Sequence, residues 1–270
     1  MAEGSAYGAV TILNGTATGI GCSLAIEGGV QASVRPSAVN SFTASPPCDD
    51  AVARACVAQS PPRGALEIHT RSRFPPSRGL KTSSSSAAAL LRALDAASGE
   101  QSDNATIIRR GVAACRAAGV TLTGAWDDQA AVVLGGCQVA DSRSGRILTS
   151  LEVPRWQVAI WVPDHAIPKS QAACADVSPL AARLAVLASD LTADSIPSAL
   201  TENGRLFTKL YAAAGLPVSD APAKVALAAG ALGAGLSGTG PAVAALFERR
   251  TPLEPVAGGV WEWSDVVRAP

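Results

Sequence analysis

Residues 75–87 read Pro-Pro-Ser-Arg-Gly-Leu-Lys-Thr-Ser-Ser-Ser-Ser-Ala, an order of residue types that suits anion binding. Glycine and small serines let the main chain approach phosphate oxygens. A helix beginning near Thr82 would aim its unpaired amide N–H groups and the positive end of its dipole at the same spot. Arg78, Gly79, Leu80, Lys81, Thr82, Ser83, Ser84, Ser85 and Ser86 are therefore the candidate nucleotide-binding residues, and Arg71 and Arg73 add positive charge nearby. The spacing is not that of a Walker loop: Leu80 separates Gly79 from Lys81 and the upstream glycine is missing. A serine-rich cap or linker would use the same residues without chemistry.

Two further stretches could complete a phosphate chemistry. In residues 123–128, Asp127 and Asp128 stand side by side after Trp126. In a loop, two adjacent acids point in different directions and can take separate roles, one as proton acceptor and one as metal ligand. An exposed acidic pair is the plain alternative. Residues 233–240 hold four glycines interleaved with Ser237 and Thr239, so Gly238 and Thr239 offer close backbone approach and a hydroxyl donor; a structural turn explains the stretch equally well. The two histidines, His69 and His165, have no Ser-x-Gly elbow or cysteine partner nearby, so a hydrolytic triad is not supported. The six cysteines lie without a C-x-x-C pair, which removes zinc-ligand spacing and predicts free, mostly buried thiols.

The elements that must position these residues follow from periodicity. Residues 9–13 and 22–34 suit two strands joined by a glycine-rich turn, and residues 65–71 alternate as a third. Residues 41–47 read as a Ser- and Pro-rich loop, followed by a helix that Asp49 can cap, running to about Gln59. Residues 82–97 repeat apolar positions at Ala87, Leu90, Leu91 and Leu94, the pattern of a helix with one buried face. A further helix spans residues 104–118 and stops at Gly119, after which a loop carries the two aspartates into an apolar run, residues 130–134. Residues 158–162 read as a buried strand; the polar stretch before it predicts a boundary near 152, with domains over 1–152 and 153–270. The second half supplies helices from Ser178, from Ser195 to Ala214 and from Asp220 to about Gly233, then strands over 242–247 and 258–263, giving an α+β class.

Composition bounds the function. Lys plus Arg equals Asp plus Glu at 22 each, and charged residues are 16% of the chain against a usual share of about a quarter. Whole-surface attraction to nucleic acid or to an anionic membrane is therefore not expected. No apolar run approaches the roughly 20 residues of a spanning helix, and residues 1–7 lack the basic and apolar regions of a signal peptide, so a cytoplasmic location is expected. The sequence leaves the oligomeric state open.

With these stretches in this order, the chain resembles the GHMP small-molecule kinases, and more closely the archaeal-type shikimate kinases among them. Beyond the serine-rich loop, the resemblance rests on residues 17–19 (Ala-Thr-Gly), residues 123–128 (Thr-Gly-Ala-Trp-Asp-Asp) and residues 235–241 (Gly-Leu-Ser-Gly-Thr-Gly-Pro). It implies an N-terminal domain like ribosomal protein S5 domain 2, a ferredoxin-like C-terminal domain, and ATP and acceptor bound between them. It also implies phosphorylation of the shikimate 3-hydroxyl on the route to chorismate and the aromatic amino acids. The catalytic-base role falls on Asp128, and Ser83 corresponds to a loop serine that looks toward Mg²⁺. Two departures stand out. The Thr-Gly-Lys-Gly pattern reads Thr18-Gly19-Ile20-Gly21, and the upstream metal-binding Glu is replaced by residues 115–118 without a carboxylate. Asp127 is then expected to help hold Mg²⁺. Homoserine, mevalonate or another small alcohol as acceptor, and a nucleotide-binding relative without catalysis, are the competing readings.

Overall fold

The computed structural model describes residues 1–60 and 64–269. The chain runs β1 (Ala2–Leu13), β2 (Ile20–Pro36), β3 (Ser41–Ser45), α1 (Ala51–Gln59), β4 (Leu66–Ser72), α2 (Thr82–Ser98), α3 (Asn104–Ala117), α4 (Trp126–Leu134), β5 (Cys137–Asp141) and β6 (Arg146–Leu151). It continues through β7 (Gln157–Pro163), α5 (Lys169–Ala172), a 3₁₀ turn (Ser178–Leu180), α6 (Ala181–Ser189), α7 (Ile196–Ala213), α8 (Ala221–Ala228), β8 (Gly233–Leu236), β9 (Val243–Phe247) and β10 (Gly259–Asp265). The first six strands form one sheet in the order β3-β4-β2-β5-β6 with β1 paired to β2, and the last four form a second in the order β10-β7-β9-β8.

Strand alternation explains how the layers meet. On β1 and β2, Ala9 and Ala25 face the alanine-rich helices α1 to α4, whereas Val10, Ile12, Leu24 and Ile26 face the seam with the second sheet. Small side chains on the helix side let α2, with Ala87, Ala88 and Ala89, lie close on β1 and β2. Large ones fill the seam with Ile160, Leu236, Leu246, Phe207 and Tyr211. One face of β2 therefore carries Gly21 and Ser23 toward the helices, beside the start of α4.

Several local expectations are corrected. The loop expected at 41–47 is largely β3, parallel to β4, because half-buried Phe42 and Ala44 alternate with exposed Ser41, Thr43 and Ser45. The segment after Gly136 is strand β5, a central member of the sheet. The helix expected to reach Gly233 ends at Ala228, and Gly233–Leu236 is β8, paired with β9 and covered by α7. Asp49 accepts the Ala51 N–H, but the residue at the helix start is Asp50, which makes no side-chain cap bond. The thiols are free, with Cys22, Cys56, Cys115 and Cys137 buried and Cys48 and Cys174 exposed.

Candidate active site

Lys81 begins the site. It occupies the cap position of α2 with φ 58°, a left-handed conformation that L residues rarely adopt, and no side chain among the described residues caps the helix. The first amides of α2 are left pointing forward, and the earliest helical bond here is Ser85 N–H to the Lys81 carbonyl, 3.0 Å. Gly79 holds the preceding turn at φ 83°, where a Cβ would lie 2.1 Å from the Ser237 carbonyl oxygen, so only glycine fits. Ser237 Oγ donates to the Gly79 carbonyl at 2.8 Å and accepts the Thr11 N–H at 3.0 Å, and Ala242 N–H donates to the Arg78 carbonyl at 3.0 Å. The serine loop and the glycine-rich turn at 237–240 are thus stitched together across the two sheets.

The acidic pair arrives on a helix. The expectation of a loop at Asp127 and Asp128 is corrected: both lie in the first turn of α4, because Ala125 (φ 47°) turns the chain and Trp126 N–H donates to Ser142 Oγ, 3.3 Å. The two carboxylates converge instead of diverging. Ser23 Oγ lies 2.9 Å from Asp127 Oδ2 and 2.7 Å from Asp128 Oδ1, so one hydroxyl proton serves two acids. Gly21 makes this approach possible, since a Cβ there would sit 2.6 Å from Asp127 Cγ. Lys81 Nζ reaches Asp128 Oδ1 at 3.0 Å, with the two side chains 8% and 10% exposed. Burial, then the neighbouring Asp128 charge, holds Asp127 well above the ordinary carboxylate range, against the pull of Lys81 and Ser23.

Two cavities meet at this ion pair. One, about 250 Å³, is lined by Gly79, Leu80, Lys81, Thr82, Ser83 and Ser84, together with Asp128 and Thr239. The other, about 30 Å³, is lined by the same pair together with Asn14, Thr16, Asp127 and Gly238. Of the candidate residues, Ser85, Ser86 and Arg78 line neither: Ser85 Oγ donates to the Tyr7 carbonyl, and the Arg78 guanidinium donates to the Pro163, Asp164 and Pro76 carbonyls. The expected collection of cations is corrected accordingly. Arg73 donates to the Trp263 carbonyl, Arg71 lies along the open face of the first sheet, and Lys81 alone of the four lines the cavities. Ile20 packs at the seam, on the face of β2 opposite Ser23.

Sequence reasoning missed three contributors. Ser23 is one; its signal is the small-residue alternation Gly21, Ser23, Ala25. Asn14 is another, donating from Nδ2 to the Gly238 carbonyl at 3.1 Å and from its main chain to Asn203 Oδ1 at 2.9 Å. Lys169, on α5, lines both cavities, and no local pattern marks it. Desolvation pushes its ammonium down to about 8, helped by Lys81 and opposed by Asp128, Asp127 and Cys115.

Comparison with known proteins identifies the family. Residues 50–136 match the GHMP kinases N terminal domain and residues 187–260 the GHMP kinases C terminal domain. The shikimate kinase of Halobacterium salinarum is 36% identical over 250 residues, covering 87% of this chain and 84% of that one. The shikimate kinase of Thermococcus kodakarensis is 32% identical over 261 residues, covering 90% of each. Among solved structures, L. major mevalonate kinase in complex with R-mevalonate superposes with a TM-score of 0.74 at 14% identity, covering 100% of this chain and 96% of that one, which speaks for the fold. The chain therefore belongs to the GHMP kinase family, in the group of the archaeal shikimate kinases, and is an ATP-using phosphotransferase.

Proposed function

We propose that the chain transfers the γ-phosphoryl group of ATP to the 3-hydroxyl of shikimate, giving 3-phosphoshikimate and ADP. The observation that carries the mechanism is the contact of Asp128 with Lys81 at the uncapped start of α2, which sets a carboxylate against a phosphate-binding helix end. The acceptor is read from the curated relatives, which are shikimate kinases over most of this chain's length. Phosphoryl transfer asks chiefly for alignment and charge neutralisation. Amides of residues 82–84 and the Ser83 and Ser84 hydroxyls hold the phosphates, and Lys81 leaves Asp128 for the phosphate oxygens. Asp128, freed, accepts a hydrogen bond from the acceptor hydroxyl and takes its proton late in the transfer. The nucleotide and acceptor sit between the halves that divide near residue 152, with Gly238 and Thr239 closing the site from the second half.

The residues present fit Mg²⁺. Among the described residues no group of three or more His, Cys, Asp or Glu forms a metal cage. Mg²⁺ beside phosphates needs only one or two carboxylates, and the Ser83 hydroxyl at the larger cavity and Asp127 at the smaller one, joined through the Lys81–Asp128 pair that lines both, would supply oxygen donors. Cys115 faces the cavity from α3 with its thiol pushed up to about 12 by burial, so it offers no anionic ligand. When bound, the ion would offset phosphate charge and orient the terminal phosphoryl group. A coupled ADP-release assay across shikimate, homoserine and mevalonate tests the reading: shikimate should turn over best. Faster turnover of another acceptor overturns the substrate, and no turnover with any points to a nucleotide-binding relative without catalysis.

A further inference from the structure

Six residues line both cavities: Lys81, Thr121, Ala125, Asp128, Lys169 and Thr239. Three of them are charged. Lys81 and Asp128 come from the first half of the chain and already pair with each other. Lys169 comes from the second half, at the start of the short α5 after β7, and among the described residues its ammonium has no ion-pair partner. It sits half-buried at the seam where the serine loop meets the acidic pair, close enough to Lys81, Asp127 and Asp128 to feel the charge of each. Desolvation of this ammonium is only partly offset by Asp128 and Asp127, and it lines the cavity with no ion pair to hold it elsewhere, so an anion entering that cavity meets a cation already at its wall. The cavity it shares with Gly79, Ser83 and Ser84 is where phosphate oxygens would lie.

We propose that Lys169 is a catalytic residue that contacts the transferred phosphoryl group from the side opposite the loop amides. This rests on the phosphotransferase reading of the site and extends it. In the step itself the acceptor oxygen bonds to the γ-phosphorus, the bond from that phosphorus to the bridging oxygen of ADP breaks, and the hydroxyl proton goes to Asp128. Lys169 exchanges no proton; it balances charge on the phosphoryl oxygens as they pass between donor and acceptor. Because it reaches the site from the second half of the chain, it also ties correct placement of the two halves to catalysis.

Lys169→Met and Lys169→Arg test the proposal, with calorimetric binding of ADP and of a non-hydrolysable ATP analogue measured beside turnover. Lys169→Met should lower kcat by about 10²- to 10³-fold, the usual loss for one preorganised charge donor. ADP affinity and melting temperature should stay near wild type, while the ATP analogue, which carries the terminal phosphate, binds measurably less tightly. Lys169→Arg should recover most of the lost rate. Three results overturn the proposal: an unchanged kcat, an equal loss of ADP and analogue affinity, or a loss confined to the KM of the acceptor, which would assign Lys169 to the acceptor's carboxylate. The analogue-against-ADP difference needs no acceptor, so the proposal can fail or stand independently of whether shikimate is the substrate.

Discussion

The first half of the chain contains two ion pairs with little exposure among its described residues. Lys81 and Asp128 meet at 3.0 Å, and Arg110 and Asp95 at 2.8 Å. Their surroundings differ. The first pair borders two cavities, shares a hydroxyl with a second acid, and faces a second ammonium. The second pins α3 to α2, borders neither cavity, and receives help from Ser102 Oγ at 3.1 Å, while Asp95 Oδ2 and Arg110 Nε and Nη2 have no hydrogen-bond partner among the described residues. A buried ion pair is by itself weak evidence of anything. What separates the pair proposed to work in catalysis from the structural one is access to a cavity and a surplus of charges that a ligand can satisfy.

Substitutions should separate the two pairs in the same way. Asp128→Asn removes the proton acceptor and should lower kcat by about 10²- to 10⁴-fold with ADP affinity retained, as steady-state rates and calorimetry would show. Its cost to stability should be modest, because the cavity lets water reach Lys81. Asp95→Asn should do the reverse: activity per folded molecule is kept, while urea unfolding shows a loss of about 3–5 kcal/mol, the usual result of stranding one buried charge. Asp127→Asn should raise the Mg²⁺ concentration needed for half-maximal turnover, and an unchanged Mg²⁺ dependence would remove Asp127 from the metal site. The smallest effect is expected at Tyr211, whose hydroxyl is buried in the seam without a partner among the described residues. Tyr211→Phe should be neutral or stabilising by up to about 1 kcal/mol in the same unfolding assay, since it deletes an unsatisfied polar group.

Much of this was legible in the chain. The serine-rich start of α2 and the run at 123–128 are local signals, because residues that must adopt special backbone shapes or cap a helix are contiguous. The convergence of the aspartates was not legible, since it depends on Ser23, more than 100 residues earlier, and on Gly21 leaving room for Asp127. Strand β3 escaped because Ser and Thr occupy its exposed positions and only Phe42 and Ala44 mark its inner face. The arginines misled for a related reason: charge near the loop in sequence is spent on carbonyls at the second sheet in space, as Arg73 and Arg78 show. Lys169 had no signal at all, because a lone lysine after Ile167 and Pro168 acquires meaning only when the second half folds against the first.

The central claim, that Asp128 faces an alcohol across the cleft from the serine-rich helix end, is tested most directly by a crystal structure with shikimate and a non-hydrolysable ATP analogue. The account predicts the 3-hydroxyl oxygen within hydrogen-bond reach of the Asp128 carboxylate, about 2.6–3.2 Å, and the terminal phosphate on the amides of residues 82–84. A complex in which that hydroxyl points elsewhere, or in which Asp128 turns away from the phosphates into solvent, would contradict it.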